Sequence, residues 1–312
     1  MRLIKNEWIK IWSQRNSWIM FILVLVGVVG FAGLNKYFEP DVSTKEARVE
    51  ANEEWLTFYK DVQQSPGMTE EDIAYYEEEI LKTQYRIDND LVSEDTMFFQ
   101  DHLNQSISVL MALVGIFTMV ITAAIVSNEF GTGTIKMLLT RPVARWKILL
   151  SKLVASLVYG VTLFIAGIVL AIGIGLVLFP AESAFTLSVV DGQVVKETIE
   201  STYGKTILYG SASNFMTVLF AFMLGSLFGS STLAVSLALI IMLMGTVITS
   251  FIAEYDFAKY IWFANDLSYY APYSMPIIED LTLSFSLVVN IVYAIIFLVV
   301  TFVYFMRRDI TA

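Results

Sequence analysis

Between Thr206 and Ala253 the chain runs for 48 residues without one Asp, Glu, Lys, Arg or His. At about 1.5 Å per residue a single helix of that length would reach about 72 Å, more than twice a hydrocarbon core of about 30 Å. Such a stretch has no soluble counterpart and must fold back on itself inside a bilayer. Gly229, Ser230 and Ser231 mark the reversal, which predicts spans near 210–228 and 233–252.

Other charge-free runs of spanning length lie at roughly 107–126, 153–179 and 285–305. Trp18 to Leu34 is shorter, but its flanking tryptophan extends it into the interface. Arg2, Lys5, Lys10 and Arg15 precede that run as in a signal peptide, yet no small-x-small cleavage pattern follows, so it reads as a retained anchor. The expected fold class is therefore an all-α polytopic membrane protein with six transmembrane helices.

Six spans place both termini on one side, and the Lys/Arg bias selects the side. Residues 1–17, 127–152 and 306–312 carry 11 bases and 3 acids, while the opposite segments carry 9 bases and 27 acids. Both termini are expected in the cytoplasm of a cell-membrane protein. Of the 30 acids, 18 fall between Asn35 and Ser106, so the net charge of −10 belongs to one outer segment and argues against nucleic acid as a partner.

These runs divide the chain. Residues 1–17 form an amphipathic helix, with Met1, Ile4, Trp8, Ile11 and Trp12 on one stripe and Lys5 and Lys10 off it, suited to the inner membrane interface and its lipid headgroups. The spans are 18–34, 107–126, 153–179, a pair within 210–252, and 285–305, and the tail is 306–312. The outer segment 35–106 reads as a helical hairpin over 43–62 and 69–88, with Ser43/Glu46 and Thr69/Asp72 as N-terminal caps and "QQSPGM" as the turn. Its apolar stripes are Ala47, Trp55, Tyr59 and Val62 on one helix and Ile73, Tyr76, Ile80 and Ile87 on the other. Its acidic run "YYEEEI" reads as a solvated face.

Within 180–209, Asp191-Gly192 between β-branched runs predicts a β-hairpin. The outer segment 253–284 mixes aromatics with Pro272 and Pro276, which fits either an interfacial aromatic belt or a pair of broken or re-entrant helices.

Chemistry is sparse. There is no cysteine and a single histidine, His102, so neither thiolate chemistry nor a histidine metal site is available. No charged residue falls in a span, which argues against a proton- or sodium-coupled carrier. No phosphate-binding G-x-x-x-x-G-K-[ST] occurs, so no catalytic residue, cofactor or nucleotide site is expected in this chain.

The loop 127–152 stands apart. Gly131 and Gly133 interrupt the helix leaving the membrane, Thr134 can cap a new one, Ile135, Leu138 and Leu139 form an apolar stripe, and Pro142 ends it. Glu129, Gly133-Thr134-Ile135, Leu138-Leu139, Pro142-Val143, Arg145 and then Lys152 resemble the pattern E-x(3)-G-T-[IL]-x-x-L-L-x-x-P-[VI]-x-R, followed by a lysine, of ABC type-2 transporter permeases. The resemblance covers about 25 residues as motif and the whole chain as architecture. The acidic insertion departs from the smallest members of that family.

The resemblance implies that this loop carries a coupling helix, Ile135 to Thr140, docked on a separate ATP-binding subunit. Glu129 and Arg145 would brace its ends, and Lys152 would sit where the third span enters the membrane. It further implies two ATPase copies, with ATP and Mg in those subunits, and a second permease protomer enclosing the pathway, homodimer being the simplest case. Gly225 and Gly229 in "GSLFG" form a small-xxx-small pair suited to that protomer contact or equally to packing within the chain. The expected function is thus an ABC exporter permease, with a membrane-embedded sensor or scaffold using the acidic insertion as the alternative. No substrate is encoded.

Overall fold

The computed structural model describes residues 2–39, 44–94, 96–131, 143–181, 185–190, 192–198, 202–272, 274–278 and 280–307. These residues are mostly helical. Helices α1 (Arg2–Ser13) and α2 (Arg15–Phe38) are followed by α3 (Lys45–Gln63), α4 (Glu70–Asp88), α5 (Phe99–Gly131) and α6 (Arg145–Leu178). After them come strands β1 (Phe185–Val190) and β2 (Gln193–Thr198), then α7 (Tyr203–Leu227), α8 (Ser231–Phe251) and α9 (Leu283–Arg307).

Six of the helices, α2 and α5 to α9, are long and apolar enough to cross a membrane. Their outer faces are inside-out by the standards of a soluble protein. On α6, Val161, Ile165, Val169 and Leu176 form an exposed row, and on α9 Val288, Ile291, Ile295 and Val299 do the same. Apolar rows of that length are stable only against lipid or another apolar surface. The chain is a multi-pass membrane protein.

The helices begin two or more residues before each sequence-derived span; those of 18–34, 107–126 and 285–305 also run past it, while those of 153–179, 210–228 and 233–252 end one residue short. Ser230 begins α8 as its N-cap residue, and α7 ends at Leu227, so the reversal falls where the glycine and serines place it.

The fold separates into two compact units, Met1–Val28 with Ser106–Leu170 and Thr202–Ala312, and Val29–Gln105 with Ala171–Ser201. In the first, Gly225 lies against α5 so closely that an added Cβ would stand 2.5 Å from the Ala123 carbonyl oxygen. Gly225 thus takes part in packing within the chain.

In the second unit α3 and α4 form the expected hairpin. Thr69 and Asp72 make a full capping box: Thr69 N–H donates to Asp72 Oδ2 at 3.0 Å, and Asp72 N–H donates to Thr69 Oγ1 at 3.1 Å. The α3 cap is Thr44, whose hydroxyl accepts from Ala47 N–H, and not Ser43, which lies outside the described residues. Glu77 and Glu78 of the acidic run are exposed while Glu79 pairs with Lys82 at 2.7 Å, and Ile73, 36% exposed, departs from the predicted α4 stripe.

Helix α4 ends in a Schellman arrangement, with Leu91 N–H donating to Arg86 C=O and Asp90 N–H to Ile87 C=O. Asp90, rather than a glycine, takes the left-handed position at φ 52°. Arg48 holds it there through Nε–H to Oδ1 at 3.1 Å and Nη2–H to Oδ2 at 2.9 Å. Strands β1 and β2 pair antiparallel with Val190 opposite Gln193, and Gly192 supplies φ +77° at the turn.

His102 is fully buried and stacks on Phe179 with ring centroids 4.5 Å apart. It also makes a hydrogen bond at the Ala171 backbone, so its place in this unit is a packing one.

Candidate functional site

The described chain stops at Gly131 on one side of the motif loop and resumes at Val143 on the other. Gly133, Thr134, Ile135, Leu138, Leu139 and Pro142 therefore lie outside the described residues. What can be built are the loop's two stems, the end of α5 and the start of α6, and the helix packed against both.

That helix is α1. Its register places Glu7 between Ile4 and Ile11 on the stripe that faces the chain, so a carboxylate enters an apolar surface. Glu7 is buried, Glu129 is 2% exposed and Lys152 is 0% exposed. Lys152 Nζ donates to Glu7 Oε2 at 2.8 Å and to Glu129 Oε1 at 2.5 Å. Lys10 Nζ donates to the same Glu129 oxygen from the half-exposed rim. Two carboxylates and two ammonium groups leave the cluster formally neutral, which is what allows it to be buried.

The second Glu129 oxygen, Oε2, is buried and has no partner among the described residues. An unpaired carboxylate oxygen in that position is costly. The loop residues between the stems lie outside the described set.

Aromatic contacts extend the same attachment. Trp12 packs on Tyr159 of α6 with ring centroids 5.3 Å apart, and the Tyr159 hydroxyl donates to the Ser17 carbonyl at 2.8 Å. Tyr159 is fully buried. The α1–α2 junction is thus fastened to α6 one side of the charged cluster, and α1 itself to both loop stems through it.

A family model whose description is "Protein of unknown function (DUF2705)" matches residues 82–311. The chain belongs to this family. The DUF2705 match takes in Glu129, Arg145 and Lys152 but not α1. The "Uncharacterized protein YhcI" of Bacillus subtilis (strain 168) is 35% identical over 316 residues, 99% of each chain, so that likeness reaches α1 as well. The "Uncharacterized membrane protein YdbK" of the same organism is 30% identical over 203 residues, covering 64% of this chain and 78% of its own.

Of the residues that the motif singles out, the structure joins Glu129 to Lys152 and leaves Arg145 elsewhere. Arg145 is exposed, and its Nη1 donates to the Met306 carbonyl at the end of α9, 3.3 Å away. Glu7 and Lys10 were missed by sequence reasoning. The signal for Glu7 was available: it is the one acid in a basic helix, and it lies on the apolar stripe.

The segment 253–284 resolves into three short 3₁₀ turns, Ala258–Tyr260, Trp262–Asn265 and Leu267–Tyr270. Neither turn of a broken α-helix is present among its described residues. Asn265, fully buried, holds the segment: its Nδ2 donates to the carbonyls of Lys259 and Ile261 at 2.7 and 2.8 Å. Its Oδ1 accepts from Ser286 at 2.8 Å, and Asn290 on α9 donates to its carbonyl at 2.7 Å. Buried polar groups satisfied in this way fix one geometry, and here that geometry is the approach to α9.

Proposed function

We propose that this chain is the membrane-spanning permease subunit of an ABC exporter, both termini cytoplasmic, driven by a separate ATP-binding subunit docked on the loop after the second span. In this reading α1 is the interfacial elbow, residues 132–142 carry the coupling helix, and α3 with α4 forms an extracytoplasmic insertion. Two permease protomers would enclose the pathway, and two ATPase copies would supply ATP and Mg chemistry that this chain has no motif to perform.

The observation that carries the reading is the buried cluster of Glu7, Lys10, Glu129 and Lys152. It ties α1 to both stems of the loop whose residues bear the permease motif. A contact that must pass a partner's movement into the membrane needs stems that cannot slide independently of the interface. A buried, geometrically exact ion cluster supplies that rigidity, because loosening it exposes unpaired charge to an apolar surround. The six apolar runs, none of which holds Asp, Glu, Lys, Arg or His, agree with an energy source outside this chain.

The test is purification from the native host in mild detergent, with mass spectrometry of what co-purifies and an ATPase assay on the eluate. An ATP-binding protein should accompany the chain and be lost in the Leu138→Asp/Leu139→Asp variant, which keeps its thermal stability because neither substitution touches a span. A stable homo-oligomer without ATPase activity would replace the exporter reading with that of a sensor or scaffold.

A further inference from the structure

Between α5, α6 and α7 lies a cavity of about 200 Å³ walled by Val114, Leu157, Val161, Phe164 and Val218. Beside it is a second cavity of about 270 Å³ whose walls carry the hydroxyls of Ser108, Thr206, Ser213, Ser268 and Ser274. Met111 and Asn214 line both. Together they fall within the range of small-molecule sites, roughly 300–1,000 Å³.

One buried polar atom there is unspent, and an amide beside it is held in place. Asn214 donates Nδ2 to the Met111 carbonyl at 3.0 Å, which turns Oδ1 over Gly115. Thr118 lines the apolar cavity at 3% exposure, and its Oγ1 is buried without a partner among the described residues. A buried polar atom left unpaired costs free energy that a ligand's donor recovers.

The sign of the ligand follows from the neighbouring charge. No Lys or Arg lines either cavity among the described residues. The Asp266 carboxylate stands directly behind the hydroxyl wall, accepting from Ser213 Oγ at 2.9 Å and from Ser268 N–H at 2.8 Å. An anion would be desolvated here against a negative potential, while a cation would be drawn in.

We propose that these adjoining cavities bind a small amphipathic amine, its apolar ring or chain between α5, α6 and α7 and its ammonium donating to Asn214 Oδ1 on the hydroxyl-lined side. The site is read on this chain alone and does not depend on an ATPase partner.

The experiment uses the full chain in phosphatidylcholine nanodiscs, titrated calorimetrically with phenylbutylamine, phenylbutanol and phenylbutyrate after subtraction of empty discs. The amine should saturate at one per chain, the alcohol should bind more weakly, and the carboxylate should show no saturable binding. Asp266→Asn removes the attraction exerted across the Ser213 and Ser268 wall and should bring the amine toward the alcohol, a loss of up to about tenfold. Gly115→Ala places a Cβ 2.3 Å from Asn214 Oδ1 and should displace it. Because that variant can disturb packing, Val161→Trp serves as a second: Val161 is exposed, so the larger ring fills the apolar cavity from its outer wall. Equal uptake of amine and carboxylate, or wild-type amine binding in both Gly115→Ala and Val161→Trp, overturns the proposal.

Discussion

Lys152 and Arg48 each make two hydrogen bonds to carboxylate oxygens at 2.5–3.1 Å, yet their surroundings differ. Lys152 is fully buried between two carboxylates from different helices, 145 and 23 residues away in sequence. Arg48 grips one exposed aspartate at the end of the neighbouring helix. In water an ion pair trades one solvation for another and contributes little, whereas in an apolar surround the alternative to the pair is a stranded charge. The same chemistry is thus a structural constraint in the first place and a local adjustment in the second.

The largest expected effect follows from breaking the buried cluster. Lys152→Met strands Glu7, leaves Glu129 with Lys10 alone, and should cost about 3–5 kcal/mol, read as loss of thermal stability in detergent. Replacing all three at once, Glu7→Leu/Glu129→Leu/Lys152→Met, should recover most of that loss, since no buried charge is then left unpaired and the half-exposed Lys10 can turn to water. Lys10→Ala should cost much less, because Lys10 is 42% exposed and water can take its place beside Glu129. Equal losses for Lys10→Ala and Lys152→Met would break the comparison.

Packing gives the next effect. Gly225→Ala drives a methyl into the Ala123 carbonyl, backbone that cannot rotate away, and should cost roughly 1–3 kcal/mol. Gly30→Ala, in the same kind of helix but with nothing within 4 Å of the added Cβ, should be neutral or mildly stabilising. If Gly225→Ala instead keeps monomer stability and weakens only self-association, its role lies between protomers.

What the sequence made legible follows the same division between local and long-range causes. Spans, the reversal before Ser231, the capping box at Thr69 and the turn at Gly192 are each dictated by residues close in sequence, through length, capping chemistry or backbone freedom. The partners of Glu129 were not legible, because hydropathy ranks α1 by its average and the choice of Lys152 over Arg145 depends on where three helices meet. Asn265 escaped for a related reason: an asparagine among aromatics carries no periodic signal, and its role exists only once Ser286 and Asn290 arrive from α9. The cavity beside Asn214 is likewise a property of three packed helices. The cap at Thr44 was missed by one residue because Ser43 and Thr44 offer the same chemistry.

On the exposed side of the comparison, Asp90→Gly removes two effects of opposite sign. The left-handed φ of 52° becomes free of strain, and the Arg48 contact is lost. The two should nearly cancel, so hydrogen exchange in α3 and α4 should change only slightly, far less than the Lys152→Met effect on its own helices. Asp90→Ala, which keeps the strain and loses the contact, should open the end of α4 more than Asp90→Gly does. Equal opening in the two variants would show that the ion pair, which both lose, holds this corner and the backbone strain does not.

The smallest effect is a dependence on pH confined to the same hairpin. The hydrogen bonds from Arg48 hold the Asp90 carboxyl below its ordinary value, and the Thr69 hydroxyl and N–H do the same for Asp72. A depressed folded-state value means the folded chain binds protons less readily than the unfolded one, so each group stabilises the hairpin above about pH 4. That contribution is lost as pH falls through the folded-state value. Raw stability against pH sums over every carboxylate of the chain and does not single out these two. Comparing Asp72→Asn/Asp90→Asn with the unaltered chain at each pH isolates the wanted term. The difference in α3–α4 exchange protection should be present at neutral pH and vanish in acid, and a difference that persists in acid would mean that these carboxylates act through shape and not through charge.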